Sequence, residues 1–365
     1  MEKISDRQLT GIMIMVILLG LSVSGIADRS MQNAWLATLC GIIIAAPFYF
    51  MYARITGLFE GCGLFEIIYQ VFGRVFGGIL VMIMSLYSLG VGSASLRQMS
   101  EFNKISSMPE TSQILTMIFL ITACIYILKK GVSTLARFTG ILIPIILLFF
   151  LTMPLFSIKD WNLDNIFPIM GNVNGYFLSD MFTTATCPFG EIILITPLFA
   201  FKKNKTNNYK IYFIGLLIGG FIIFLDSLRC IAVMGAHTMS LLYYPMYIAT
   251  GIINVMDFFN RVESLSIGMF IFMLIVKICV CIYVFSSGLG SVIGSSNYKS
   301  LITPSAFLMV ALSLIIFKNT IQSFKFMEIY KYYGLVFQAI IPAAIWIGAE
   351  ITVKNRKRLE AVPMG

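Results

Sequence analysis

Apolar residues run in long blocks along this chain, and each block approaches the roughly 20 residues that cross ~30 Å of hydrocarbon at about 1.5 Å per residue. Ten such blocks can be placed, at about 9–27, 35–54, 78–99, 112–128, 138–156, 181–201, 211–234, 264–286, 302–317 and 333–352. Short polar connectors separate them. The pattern predicts an all-α polytopic membrane protein of ten transmembrane helices, with residues 1–365 forming one integral-membrane domain.

Ten helices divide into two sets of five, about 9–156 and 181–352. An odd number per half starts the second set on the opposite side, so a repeat must be inverted. The helix that opens each half is interrupted. In the first the interruption is Gly20-Leu21-Ser22-Val23-Ser24-Gly25, and in the sixth it is Cys187-Pro188-Phe189-Gly190, followed by Glu191. Proline removes a backbone donor and crowds the preceding turn, and glycine relaxes the chain where the helix fails. In hydrocarbon such backbone survives only packed in protein or lining a wet cavity. Matched interruptions point to a binding cavity shared by broken helices 1 and 6. Amphipathic stretches at Leu64–Phe72 and Ile252–Asn260, in corresponding connectors, agree with the two-fold pattern.

Composition narrows the function. With 58% hydrophobic residues, 12% charged and a mean hydropathy of +0.90, the chain is no soluble domain, since those carry about a quarter charged residues. The net charge of +9 does not indicate nucleic acid. Most Lys and Arg lie in short loops, the larger share on the side of the N-terminus, which places both termini in the cytoplasm. The first apolar block is long enough to stay in the membrane, so no cleavable signal peptide is expected. The seven cysteines lack metal-site spacing and read as small buried hydrophobes. His237 is the only histidine, with no nucleophile or ligand set around it, and no phosphate-cradling Gly-Lys-Ser/Thr loop is present. Neither an enzyme, a cofactor, a metal nor ATP drive is expected.

Several polar residues sit where hydrocarbon makes them costly. Glu191 can take a proton, accept a ligand amine, or cap the half-helix that follows the break. Lys277 lies at the centre of the eighth block, too deep to snorkel. It can hold a ligand carboxylate at the cavity wall, stand in for a coupling cation, or pair with Glu191 or another buried acid. Gly20, Ser22, Ser24 and Gly25 either offer backbone donors to a small anionic group or form a close helix-packing face. Tyr87 with Gly90, Val91 and Gly92 either lines the cavity or packs the core. Asp226 and Arg229, three apart on one helix face, predict an internal ion pair. Arg261 and Glu263 are expected to anchor the start of the eighth helix.

The chain resembles, over nearly its whole length, the B subunits of spore nutrient-germinant receptors, the spore germination permeases of the amino acid–polyamine–organocation superfamily. The carriers are Asn33-Ala34-Trp35-Leu36-Ala37, Pro188-Phe189-Gly190-Glu191, the run from Ser227 to Gly235, and the run from Phe259 to Leu265. The resemblance implies a LeuT-like fold of two inverted five-helix repeats in the inner membrane of a bacterial endospore. It also implies a small nutrient ligand, an amino acid or sugar, and two partners besides membrane lipids, a larger A subunit and a C-subunit lipoprotein. The ligand is then expected among Gly20–Gly25, Tyr87, Val91, Pro188, Phe189, Glu191 and Lys277. Three functions are compatible with these residues. They are a sensor that signals to partners, an autonomous proton-coupled amino-acid transporter, and an inert scaffold.

Overall fold

A computed structural model describes residues 2–20, 28–107, 109–170, 175–203, 207–252, 262–295, 297–317 and 319–360. Among the described residues the chain is helical, and its single β-type contact is an isolated parallel bridge between Ile4 and Lys202. The helices in chain order are α1 (Asp6–Leu18), α2 (Ala34–Leu58), α3 (Leu64–Ser106), α4 (Gln113–Lys130) and α5 (Val132–Phe156). The second half holds α6 (Tyr176–Thr184), α7 (Gly190–Phe201), α8 (Asn208–Met234), and the short α9 (Ala236–Leu241) and α10 (Pro245–Gly251). It continues through α11 (Val262–Ile293), α12 (Tyr298–Ile316), α13 (Thr320–Leu335) and α14 (Ile341–Glu360).

Nine helical stretches of the described residues are long and apolar enough to cross a bilayer. The first expected span begins as α1, whose start is set by a capping box. Gln8 N donates to Ser5 Oγ at 3.4 Å, and Ser5 N donates to Gln8 Oε1 at 3.0 Å. Its expected interruption at Ser22, Ser24 and Gly25 lies outside the described residues, as do Arg261 and most of the stretch Ile252–Asn260.

Burial sorts the helices. In the broken span Tyr176–Phe201, 89% of the apolar window is enclosed, and in Glu263–Ile293 72% is, against 22% for Glu328–Arg356. The sixth and eighth spans are therefore the hub, flanked by α1, α2, α3 and α8, while α4, α12 and α14 turn more surface toward lipid. An apolar helix enclosed on all sides is a core helix whatever the solvent around the protein.

The amphipathic stretch Leu64–Phe72 forms the first part of α3 and is set off from the third span by a break at Gly73, with φ 72° and ψ −171°. That left-handed backbone is open to glycine at little cost and strained for other residues.

Candidate functional site

The sixth span breaks where its proline and glycine predict. α6 ends at Thr184, Cys187 takes the extended conformation favoured before proline (φ −127°, ψ 114°), and the chain re-enters a tight helix at Gly190. The break packs against the end of the described part of α1. A Cβ built on Gly20 would lie 2.6 Å from Pro188 Cγ, so only glycine permits this approach. At Gly190 the space of a side chain is taken by the Gln338 carboxamide, which arrives from a π-wound turn, Val336–Ile340, between α13 and α14.

Behind the break lies a charged centre. Glu191 is the second residue of α7, and Lys277 stands at the midpoint of α11. Lys277 Nζ and Glu191 Oε2 are 2.6 Å apart, with only 5% and 4% of the side chains exposed. Of the roles open to Lys277, pairing with Glu191 is the one realised in this conformation. A row of hydroxyls and an amide extends from the pair. Tyr330 donates to Glu191 Oε1 at 2.7 Å, the Tyr330 and Tyr87 hydroxyls are 2.9 Å apart, and Gln338 Nε2 donates to Tyr87 at 2.7 Å. Tyr52 of α2 donates to the Gln338 carbonyl at 2.6 Å. Gln338 Oε1 is buried without a hydrogen-bond partner among the described residues. The Tyr87 ring stacks on Phe337 with centroids 4.5 Å apart and planes at 5°.

Side chains of the chain itself meet around the break in the sixth span. Gly20 meets Pro188, and Lys277, Glu191 and Tyr87 are joined through the ion pair and the Tyr330 hydroxyl. Val91, one turn beyond Tyr87, and Phe189 in the break are both buried. Ser22, Ser24 and Gly25 cannot be placed. Tyr330, Gln338 and Tyr52 were not singled out by the sequence reading. Gln338 had a signal, a lone carboxamide inside an apolar run. Tyr330, Tyr333 and Phe337, at helical spacing, had another.

Further polar contacts tie the helices together away from the centre. On the face of α10, Arg229 Nε meets Asp226 Oδ1 at 2.6 Å, and the guanidinium reaches Met246 O at 3.4 Å and Thr250 Oγ1 at 3.3 Å. This is the expected Asp226–Arg229 pair, and it fastens α10 over α8. Glu263 opens α11 beside Gly251 of α10, where a Cβ built on the glycine would lie 3.9 Å from Glu263 Cβ. Nearby, Arg97 and Glu101 pair at 2.7 Å, and Ser30 donates to Asp180 at 2.6 Å. Elsewhere Glu2 ties the N-terminal segment to the starts of α5 and α12. It accepts from Val132 N at 2.7 Å, pairs with Lys299 at 2.9 Å and receives the Tyr298 hydroxyl at 3.4 Å.

A helix broken beside a buried charge pair, inside a bundle of this connectivity, is an arrangement found in membrane proteins built from inverted repeats. Mhp1, a nucleobase-cation-symport-1 family transporter solved in a closed conformation with bromovinylhydantoin bound, superposes with a TM-score of 0.64 at 13% identity, covering 93% of this chain and 78% of that one. MhsT, solved in complex with L-phenylalanine, gives 0.58 at 12% identity, covering 94% and 98%. The fold is LeuT-like. This chain belongs to the spore germination protein family, whose permease profile matches residues 3–321. Spore germination protein KB of Bacillus subtilis (strain 168) is 25% identical over 372 aligned positions, covering 98% of each chain.

Proposed function

We propose that this integral membrane protein is the nutrient-sensing subunit of a spore germinant receptor, taking a small zwitterionic nutrient such as an amino acid between Glu191 and Lys277. One observation carries the reading, the buried Lys277–Glu191 pair seated directly behind the break in the sixth span. Without ligand the two charges satisfy each other. An amino acid brings the same two charges, so its ammonium replaces Lys277 at Glu191 while its carboxylate takes the lysine. The exchange keeps every buried charge paired, which avoids the desolvation cost of a lone ion. It also releases Tyr330 from Glu191, and with it the Tyr87–Gln338 contacts that hold the last span against α3. Contacts that differ between the free and bound forms are what any ligand-driven conformational change requires.

In this reading the moving last span reports to partners, a receptor A subunit and a C-subunit lipoprotein, at the inner membrane of the spore with both termini cytoplasmic. The relatives' shared description as spore germination proteins supports this assignment. Spores carrying Lys277→Met should keep the protein in the membrane and lose or re-specify the nutrient response. An unchanged dose–response in that variant contradicts the assignment.

A second reading has its own support. Glu191 ends a row of hydroxyls, the kind of carboxylate that can carry a proton, and Mhp1 is described as a transporter. An autonomous proton-coupled amino-acid transporter would accumulate radiolabelled substrate in proteoliposomes holding this chain alone. Gradient-driven accumulation there favours transport over sensing.

A further inference from the structure

The Gln338 side chain is fully enclosed, and two glycines make the space for its carboxamide. A Cβ built on Gly190 would collide with Gln338 Oε1, and one built on Gly334 would lie 3.2 Å from Nε2. Tyr52 fixes the turn over the break in the sixth span, donating to the carbonyls of Gln338 at 2.6 Å and Gly190 at 3.3 Å.

The direction of the hydroxyl row decides which carboxamide atom is left over. Glu191, ion-paired with Lys277, is a carboxylate and can only accept. Tyr330 therefore gives its one proton to Glu191 at 2.7 Å, and Tyr87 gives its own to Tyr330 at 2.9 Å. The Tyr87 oxygen must then accept, and Gln338 Nε2 donates to it at 2.7 Å. Oε1 is the remaining atom. It is buried without a hydrogen-bond partner among the described residues, and a buried acceptor left this way carries its full desolvation penalty.

We propose that Gln338 Oε1 is a second acceptor for the ligand's ammonium, so that this site selects primary amines. The inference rests on the exchange at the Glu191–Lys277 pair. The Tyr330 hydroxyl that leaves on exchange stands 2.7 Å from Glu191 Oε1 and 3.4 Å from Gln338 Nε2. An ammonium in its place borders both the carboxylate and the carboxamide. A small turn about the terminal torsion of Gln338, which is soft, brings Oε1 to it. One N–H then goes to Glu191 and a second to Gln338. Because Tyr52 keeps the turn on the break, the last span parts from α3 while staying seated over the sixth. A tertiary ammonium has a single N–H, so it satisfies Glu191 and leaves Oε1 orphaned.

The test uses the purified full-length protein and reads affinities from ligand-dependent shifts in melting temperature. Its probes are the proteinogenic amino acids with a primary amine, each beside its N,N-dimethyl derivative, which keeps both charges and loses two donors. Any amino acid that binds the native chain should bind about tenfold or more tightly than its dimethyl form. In Gln338→Met, close in size and without the amide, that preference should narrow to about threefold or less. Loss of the Nε2 contact with Tyr87 acts on both forms alike and cancels in the ratio. Gln338→Asn, which withdraws the carboxamide by one methylene, should narrow the preference in the same way if the Met variant does not fold. Equal affinity of the native chain for both forms overturns the proposal. So does a native preference retained in the variant, the result expected if the methyl groups are excluded by shape alone. Either outcome leaves the exchange at the ion pair standing. If none of the amino acids binds, that exchange falls, and the role of Gln338 with it.

Discussion

Removing the lysine of the central pair and removing both of its charges should have very different consequences. At 2.6 Å, two unit charges attract by about 6 kcal/mol in an effective dielectric of roughly 20. Most of that offsets the cost of taking both ions out of water. Lys277→Met alone leaves Glu191 buried with Tyr330 as a hydrogen-bond donor, and a lone buried charge of this kind costs about 3–5 kcal/mol. In the double variant Lys277→Met with Glu191→Gln, no charge is stranded, and the glutamine oxygen can still accept from Tyr330. That variant should lie within about 1 kcal/mol of the native protein. Unfolding by denaturant in micelles, followed by circular dichroism, gives the three differences from shifts in midpoint at constant slope. Costs that simply add would refute the pairing. So would a Lys277→Met variant within about 0.5 kcal/mol of the native protein.

Other contacts give further expectations. Gly20→Ala drives a methyl group to 2.6 Å from the Pro188 ring and should cost about 1–3 kcal/mol, read as a lower melting temperature. Tyr330→Phe deletes the donor to Glu191 and should destabilise by about 1–3 kcal/mol, measured in the same denaturant titration. Arg229→Ala strands Asp226 and unties α10, so hydrogen exchange should rise across Pro245–Gly251, while an unchanged profile would argue against that tether. Glu2→Ala removes the acceptor of Val132 N, and the amides of Val132 and Lys203 should exchange faster with little change in global stability.

What was legible in the sequence follows from which forces act locally. Pro188 and Gly190 break a helix by backbone chemistry alone, so the break could be read residue by residue. Lys277, isolated in an apolar block, announced itself by its desolvation cost. Glu191 was visible for the same reason, but with 86 positions between them the sequence left their pairing open beside the ligand and cation roles of the lysine. Gln338, inside the tenth block, was passed over as one neutral carboxamide among apolar residues, and Tyr330 was missed for a different reason. The tenth block was placed at 333–352, while the helix path begins at Thr320, in a stretch too polar to stand out by hydropathy. The same limit hid Glu2, whose partners Val132 and Lys299 meet it only once the loops are folded together. The separation of Leu64–Phe72 from the third span was legible, because Gly73 ends the short helix by backbone conformation alone.

The central claim is that a zwitterion trades places with the Lys277–Glu191 pair. Thermal shift of the purified full-length protein across the proteinogenic amino acids, each beside its amide and its N-acetyl derivative, tests it most directly. The account predicts that at least one free amino acid raises the melting temperature, that its two derivatives do not, and that the Lys277→Met variant loses the effect. Stabilisation by the derivatives equal to that by the free amino acid, or retained in the variant, would contradict it.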